Sequence, residues 1–591
     1  MHANKFNSTE KRWLWGLSFI AFASHAALAF RSNALITLRP YGDDAFYVFS
    51  IARNLAFGRG ASVDGIHLTN GFQPLIAFIY APIFWLCSPN DWLAIRWTLV
   101  LSGLISAVSV WLLAVLVRSL IREVRELPYH LTAPVISAIF WACSISLFNQ
   151  TTTGLETGLY SLLLLAVILV WVSGFGTALQ VPSPAPDFPP LSSRGGSQVP
   201  GTAPVTRSRN PIPYTRTIRN CLFGLLLGIT VLTRIDAAIL VAILAAAIVL
   251  RHGEKWKDAI TISGIALLVS LPWWIFNVAH FGSLMPISGQ AENSWPMSDY
   301  ENIKRLIETL TDIMLLFIYT PNSASLFGRI VIAIVVGLVW YGLLWKTNLQ
   351  RRLRAQSHIL LLLPFGVFSL VLVIYYTFFL KAPHFIIRYL QPLRILWIVF
   401  AAVSAPLVWN ARCGRRPRRP TSDYYTDKDH QSGARDGTRH AILAAIILCS
   451  LGFSADRYLR YYTTSEISEF YDMGLWAAQH PAEKIGMLQS GIASFIASTT
   501  MRASQEMGIP PNVVNLDGKV NADALRAHQQ GRLPAYIRNE HFTYIADQKA
   551  MIEDVAALCR EDHLYFDSVG MIGDPRLTND IQLMKRRLSE P

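Results

Sequence analysis

The 591-residue sequence is 52% hydrophobic and only 15% charged, whereas soluble domains carry about 25% charged residues. Several apolar runs reach the roughly 20 residues that cross a hydrocarbon core, which excludes a soluble globular protein and indicates a polytopic membrane protein. The net charge of +13 does not indicate nucleic-acid binding, because the basic residues cluster between apolar runs, as in cytoplasmic loops, at 118–125, 207–219, 351–354 and 412–419. The six cysteines show no CxxC spacing and are interpreted as small buried hydrophobic residues.

The N-terminal basic residues precede a first apolar run near 13–38. A signal peptide with a cleavage site at "ALA" (27–29) is an alternative, but the run is longer than the 7–15 residues of a typical signal peptide, which favours an uncleaved span. A cytoplasmic N-terminus then places 39–95 in a long first outer loop. Within this loop, 74–87 is too short to span the membrane easily and is predicted to be interfacial or re-entrant.

Further spans are predicted near 97–117, 131–148, 156–173, 259–281, 328–345, 358–380, 389–409 and 440–457. The run 220–250 is interrupted at "LTRID" and has basic residues on both flanks, which predicts a hairpin of two short helices. Residues 174–219 and 411–440 are polar and are predicted to be flexible cytoplasmic loops. The total is about eleven transmembrane helices, and this odd number places the C-terminus outside the cytoplasm.

Short apolar runs alternate with polar, helix-like stretches after residue 457. This pattern predicts a small extracytoplasmic α/β domain over 458–591, following a transmembrane domain over 1–457. The predicted fold class is therefore a mainly α polytopic membrane protein with a small C-terminal α/β domain. The predicted location is the cell (inner) membrane, with a cytoplasmic N-terminus and a periplasmic C-terminal domain.

Ionisable residues near membrane depth are costly and are often functional, and here they collect on the predicted outer face. They are Asp43, Asp44, Arg53, Glu156, Arg234, Asp236, His280, His384 and Arg388. Each also has a structural interpretation. The aspartates could cap a helix that begins at Ala45, and Glu156 could be a first-turn residue stabilised by the helix dipole. Arg234 and Asp236 could form a local ion pair, and Arg388 could anchor the chain at the membrane interface. Histidines at interfaces are often structural.

Two adjacent carboxylates can differ in pKa, so that one is ionised and able to accept a proton from a sugar hydroxyl. Guanidinium groups such as those of Arg234 and Arg388 can donate two hydrogen bonds to a phosphate. Carboxylates beside arginines at the outer face therefore indicate a reaction with an anionic leaving group. Sugar transfer from a lipid phosphate fits this chemistry.

The stretch "DDAFYVFSIARNLAFGRGASVDGIHLTNGFQPL" resembles the first outer loop of GT-C superfamily glycosyltransferases, in the branch of the protein mannosyltransferases and aminoarabinose transferases. "TTTGLETGLY", "LTRIDA", "HFGSLMP" and "RYLQPL" follow in the order expected for that branch, and "VVNLDGKVNADAL" resembles the outer C-terminal domain of related transferases. The resemblance covers most of the chain.

The resemblance implies a polyprenyl-phosphate sugar as donor, a lipid, glycan or protein as acceptor, and contact with membrane lipids but not with nucleic acid. It implies Asp43, or Asp44 if the register differs by one, as general base, and Arg234 and Arg388 as contacts of the donor phosphate. Glu156, Asn70, Gln73, Asp236 and His280 are the predicted substrate-binding residues. The resemblance does not fix a cofactor, and a divalent cation is left open because members of the superfamily differ.

The chain lacks the inserted ligand-binding domain of the protein mannosyltransferases. It also differs from mycobacterial arabinofuranosyltransferases after the paired aspartates, so the sugar, hexose or pentose, and the acceptor are left open. A secondary transporter of an anionic or sugar-like solute is the main alternative, because "LTRID" is also typical of a broken transporter helix. A scaffolding membrane protein is the third.

Overall fold

The computed structural model describes residues 6–121, 126–127, 131–175, 213–251, 256–294, 298–315, 357–380, 386–412, 468–503, 512–572 and 581–587, with isolated positions between 327 and 338. In the first third of the chain, the helices are α1 (Ser8–Ala27), α2 (Asn33–Ile36), α3 (Asp43–Ala56), α4 (Pro74–Cys87), α5 (Asp91–Leu120), α6 (Ala133–Cys143), α7 (Ile145–Thr151) and α8 (Thr157–Phe175). Two short strands, β1 (Glu126–Leu127) and β2 (Leu131–Thr132), pair between α5 and α6.

The middle of the chain contains α9 (Pro213–Thr233), α10 (Ala237–Arg251), α11 (Trp256–Phe281), α12 (Ile287–Ser294), α13 (Asp299–Leu315), α14 (Leu363–Ile374), α15 (Ile386–Tyr389) and α16 (Gln391–Arg412). A π-helical turn over Tyr375–Phe379 continues α14. The predicted interruption of the 220–250 run is confirmed, because α9 ends at Thr233 and α10 begins at Ala237.

Among the described residues, six helical segments are long and apolar enough to cross a membrane, namely Ser8–Phe30, Asp91–Leu120, Thr157–Gly174, Arg216–Thr233, Trp256–Phe281 and Leu360–Phe379. The pair α6 and α7, bent by 63°, would make a seventh. The protein is therefore a polytopic membrane protein, as predicted. The apolar helices Ala237–Leu250 and Gln391–Ala405, at two further predicted spans, are shorter than these. The total of eleven stays a prediction, because the span near 440–457 and most of the span near 328–345 also lie outside the described residues.

Two predicted span boundaries differ from the structure because polar side chains set the helix ends. The first helical segment ends at Phe30 rather than near residue 38, since Arg31 is extended and the Ser32 side chain caps α2. The next span begins at Asp91 rather than near 97, since the Asn90 side chain accepts a hydrogen bond from the Leu93 amide. The 74–87 segment is a 14-residue helix, shorter than a span.

The C-terminal residues form α17 (Glu469–Gln479), β3 (Ile485–Met487), α18 (Gly491–Ala503), β4 (Val513–Asn515), α19 (Ala522–Gln529), α20 (Leu533–Asn539), β5 (Tyr544–Gln548), α21 (Lys549–Glu561), β6 (Phe566–Ile572) and β7 (Ile581–Arg586). The strands form one sheet in the order β4-β3-β5-β7-β6. β3 is parallel to β4 and β5, and β7 is antiparallel to β5 and β6. The predicted boundary at 457/458 lies outside the described residues.

The C-terminal α/β unit shares a hydrophobic core with the first outer loop. Phe495 of α18 packs against Phe46 of α3 with ring centroids 5.4 Å apart, and also contacts Phe49 and Phe84. These rings are buried, and burying such side chains stabilises a contact by about 1.5–3 kcal/mol each. α18 is therefore held against the residues that follow the aspartate pair.

Candidate active site

Two adjoining cavities lie where α3, the α9–α10 break, α15 and the C-terminal α/β unit meet. Their volumes are about 340 Å³ and about 390 Å³. Both are lined by Asp44, Tyr47, Leu155, Arg388 and Lys519. The first is also lined by the predicted residues Gln73, Glu156, Arg234 and Asp236, and the second by Asp43. The structure therefore brings together seven of the eleven candidate residues, although they come from separate parts of the chain.

Asp43 is held by the C-terminal unit. Neither aspartate caps α3, because the helix begins at Asp43 and its N-cap is Gly42. Instead, the half-buried Asp43 carboxylate accepts hydrogen bonds from the backbone amides of Gly491 (3.0 Å) and Ile492 (2.7 Å) at the start of α18. Burial raises the pKa of Asp43 to about 6; the two amides and Tyr47 oppose this shift, whereas the Asp44 charge adds to it.

Asp44 and Arg388 form an ion pair at the boundary between the two cavities. The Arg388 Nη1 donates to Asp44 Oδ2 over 3.3 Å, and the guanidinium lies 5.4 Å from the centre of the Tyr389 ring. Burial lowers the pKa of Arg388, but Tyr389, Asp44 and Glu156 outweigh this effect and hold it above its usual range. Arg388 therefore stays cationic, and it faces both cavities.

Arg234 lies in a buried polar cluster. Its guanidinium donates to Glu156 over 2.8 Å, to Asp236 over 2.6 Å and to the Tyr376 hydroxyl over 3.0 Å. The Tyr376 hydroxyl in turn donates to Asp236 over 2.7 Å. The local Arg234–Asp236 pair considered from the sequence is thus present, but two carboxylates share the guanidinium.

Local backbone geometry presents Glu156 to this cluster. The residue directly precedes α8, in the "TTTGLETG" turn. Gly154 in that turn has a φ of +75°, and a Cβ there would lie 2.8 Å from the Tyr41 ring. Glycine is required both for the left-handed conformation and for the close approach. The turn can therefore bring the Glu156 carboxylate to Arg234.

Lys519 is a cavity residue that the sequence analysis did not select. Its ammonium group lies 3.2 Å from Glu292 of α12 and 3.7 Å from Asp517. Burial lowers the pKa of Lys519, but Asp517, Glu292 and Asp44 outweigh it and keep the pKa above its ordinary value. The only signal was its position in "VNLDGKVNADAL", which identified a domain but not a site residue.

Four other candidates lie elsewhere. Asn70 is buried and accepts a hydrogen bond from the Ile287 amide, which is a structural contact, and His280 is exposed at the end of α11; neither lines the two cavities. Arg53 is buried against Asp91 at 2.8 Å and donates to Ser498 and Thr499 of α18. His384 lies outside the described residues.

The described residues do not assemble a metal centre. Within them, no group of three or more His, Cys, Asp or Glu side chains is placed to hold a metal ion. The divalent cation stays open, because Mg²⁺ is usually bound by one or two carboxylates together with waters and substrate phosphates.

Two solved structures share this fold. ArnT from Cupriavidus metallidurans in the apo state matches 98% of this chain and 98% of its own, with a TM-score of 0.51 and 12% identity. The oligosaccharyltransferase from Archaeoglobus fulgidus in the apo form matches 95% of this chain and 74% of its own, with a TM-score of 0.51 and 11% identity. No family model matches the sequence, and a search of curated proteins finds no match. Both solved structures are GT-C membrane glycosyltransferases, so the predicted GT-C fold is confirmed.

Proposed function

We propose that this protein is a glycosyltransferase that moves a sugar from a polyprenyl-phosphate donor to an acceptor on the outer face of the membrane. The observation that carries the proposal is the position of Asp43 and Asp44 beside Arg388, across two joined cavities. A carboxylate that accepts a proton and a cation that binds a departing phosphate are the two groups that this transfer requires. The fold, shared with two membrane glycosyltransferases, supports the same reaction class.

The first cavity suits the donor. Its polar side carries Arg388 and Lys519, whereas Ile239, Met285 and Leu380 make part of its wall apolar. A phosphate placed at the cations leaves the prenyl chain against the apolar wall. Glu156 and Asp236 offer oxygen acceptors to sugar hydroxyls, and Arg234 orients both carboxylates. We propose this role for Arg234 in place of the phosphate contact predicted from the sequence, because its guanidinium donates to both carboxylates.

The second cavity suits the acceptor. In the proposed reaction, Asp43 takes the proton of the acceptor hydroxyl as its oxygen attacks the anomeric carbon. The bond between that carbon and the phosphate oxygen breaks, and the electron pair leaves with the polyprenyl phosphate. Arg388 and Lys519 stabilise the phosphate charge, while Asp44 holds Arg388 between the cavities. A single displacement of this kind inverts the anomeric configuration.

The proposal is tested with the purified full chain in lipid nanodiscs, supplied with radiolabelled polyprenyl-phosphate sugars and an envelope lipid and glycan extract. We expect release of free polyprenyl phosphate and label in the acceptor fraction. Reconstituted vesicles that accumulate a sugar or anion without consuming the donor would indicate the transporter instead. No turnover and no saturable binding of any polyprenyl phosphate would contradict the proposal.

Arg388→Ala should lower the transfer rate by about 10²-fold, the usual loss when one group that stabilises a transition-state charge is removed. The matched control is Arg305→Ala, because the Arg305 side chain on α13 is 43% exposed and pairs locally with Glu308. Initial rates at saturating donor, measured for both variants, check the prediction. An Arg388→Ala rate equal to that of the control would contradict the role of Arg388 in binding the donor phosphate.

The pH dependence of transfer should show an acid limb near pH 6. The base must be ionised, and the pKa of Asp43 is raised to about 6, so activity falls as pH drops through that value. In Asp44→Asn the like charge is gone, so the pKa of Asp43 should fall and the limb should move to lower pH. Profiles of kcat/KM from about pH 4 to about pH 8, roughly two units on either side of the limb, measure both effects. A limb that stays in place in Asp44→Asn would argue against Asp43 as the titrating group.

A further inference from the structure

The turn between β3 and α18 directs five consecutive backbone amides at side chains around the aspartate pair. We call residues 488–492 the amide turn. Leu488 and Gln489 donate to the Asp547 carboxylate over 2.9 Å each. Ser490 donates to the Tyr47 hydroxyl over 2.9 Å, and the last two amides, those of Gly491 and Ile492, donate to Asp43. Runs of backbone amides of this kind form anion-binding concavities.

Asp43 lies at the N-termini of two helices. It is the first residue of α3, and its carboxylate accepts the first two amides of α18. Each helix N-terminus carries a partial positive charge that favours an anion. The contact orders Asp43 through both carboxylate oxygens, because Oδ2 accepts from Gly491 and Oδ1 from Ile492.

The backbones at this contact approach too closely for any side chain at position 491. A Cβ built on Gly491 would lie 2.2 Å from the Asp43 carbonyl oxygen, well inside the range that real Cβ atoms avoid. A second close approach lies nearby, where a Cβ on Gly71 would lie 1.8 Å from the Lys519 carbonyl oxygen. Two glycines on opposite sides of the contact thus let the C-terminal unit meet the outer loop.

The charges around Asp43 come from several elements. Asp44 and Tyr47 lie on its own helix, and Asp547 lies on β5. Asp517 and Lys519 follow β4 and line the same cavity, as does Arg388 from α15. Because charges of both signs surround Asp43, their long-range effects partly cancel and do not fix its orientation. The direct hydrogen bonds from Gly491 and Ile492 are the contacts that hold the carboxylate in one orientation.

We propose that the amide turn is a positioning element for the catalytic base: Gly491 and Ile492 of the C-terminal unit hold the Asp43 carboxylate toward the acceptor cavity. This inference rests on the proposed function. The C-terminal unit thereby orients the base in addition to lining the cavity. Gly491 and Ile492 act through Asp43 and do not touch the reacting atoms.

The test is Gly491→Ala in the full chain, with Gly570→Ala as control, because a Cβ at Gly570 in β6 meets nothing within 4 Å. We expect Gly491→Ala to lower kcat at least 10-fold, since small displacements of a catalytic group are costly. The KM for donor should stay unchanged, because the donor cations are untouched. With the amides displaced, ionised Asp43 loses its hydrogen bonds, so the acid limb should move to higher pH.

Tyr47→Phe provides a second, milder variant. Its hydroxyl accepts the Ser490 amide and lowers the pKa of Asp43, so its loss should also move the acid limb upward. A wild-type kcat and acid limb in both variants would overturn the proposal. A folded Gly491→Ala protein with lowered kcat and an unmoved limb would also overturn it, because displacement of the amides must raise the pKa of Asp43.

The pH dependence of thermal unfolding keeps this inference separate from the proposed function, because it needs no turnover. The raised pKa of Asp43 means that this carboxyl contributes stability at low pH, which is lost as pH rises from its unfolded value toward about 6. Subtracting the stability profile of Asp43→Asn from that of wild type isolates the pH range in which Asp43 contributes. The same subtraction between Gly491→Ala and the double variant Gly491→Ala, Asp43→Asn gives this range for the variant. The upper end of the range should lie at higher pH in Gly491→Ala, because only the folded-state pKa of Asp43 changes. Failure of transfer in wild type, with this shift present, would overturn the function but not the contact.

Discussion

Asp43→Asn should reduce sugar transfer by about 10²–10⁴-fold, the range that a positioned general base contributes. The amide is nearly the same size as the carboxylate, and its oxygen can still accept one of the amides of α18, so the fold should be retained. The expected loss therefore comes mainly from the loss of proton acceptance, together with the loss of one of the two amide contacts. Transfer from a polyprenyl-phosphate sugar, measured at pH 7.5 where the carboxylate is ionised, checks the prediction.

The control for this variant is Asp523→Asn, because the Asp523 side chain on α19 is 46% exposed and pairs locally with Arg526 in the next turn. Asp44→Asn should retain more activity than Asp43→Asn, since Asp44 acts through Arg388. If Asp44→Asn abolishes transfer and Asp43→Asn does not, the base is Asp44. If both aspartate variants behave like the control, the catalytic assignment is falsified.

Arg53→Ala should lower the free energy of unfolding by about 3 kcal/mol, the cost of removing one partner of a buried ion pair. Arg53 is 2% exposed, contacts Asp91 at 2.8 Å and donates to Ser498 and Thr499. Among the described residues, its loss leaves Asp91 buried with Arg502, 4.0 Å away, as the one remaining cationic neighbour. Because these contacts join α3, α5 and α18, the C-terminal unit should also separate from the outer loop more readily.

Thermal unfolding in detergent and limited proteolysis of the C-terminal unit measure these two effects. Arg305→Ala again serves as the control for loss of an arginine at an exposed position. The double variant Arg53→Met and Asp91→Leu removes both charges, so it should recover part of the lost stability. An Arg53→Ala protein as stable and as protease-resistant as wild type would show that this pair does not fasten α18.

Fold class followed from the sequence because hydropathy is a local property. An apolar run needs no partner in order to indicate a membrane helix, and the break at 234–236 was visible as two charges inside such a run. The spans with residues 328–345 and 440–457 stay predictions. The failed boundaries, at Phe30 and Asp91, depend on Ser32 and Asn90, single capping residues that an average over 20 positions does not detect.

Site residues were harder to assign, because a residue type does not reveal its partner. Arg234 and Arg388 looked alike as phosphate contacts in the sequence. In the structure, Arg234 forms ion pairs with two buried carboxylates, whereas Arg388 lines both cavities. The sequence around Arg53 likewise did not indicate that its side chain would contact Asp91 and α18.

By itself, the sequence determined that this is a polytopic membrane protein with carboxylates and arginines gathered near one end of its spans, because burying charge in lipid is costly wherever it occurs along the chain. Only the tertiary structure decided what each charge does. Asp43 meets the amide of Gly491 across a separation of 448 residues, and Lys519 reaches the cavity from the C-terminal unit. Such contacts depend on packing between distant segments, and local hydropathy and residue spacing carry no information about that packing.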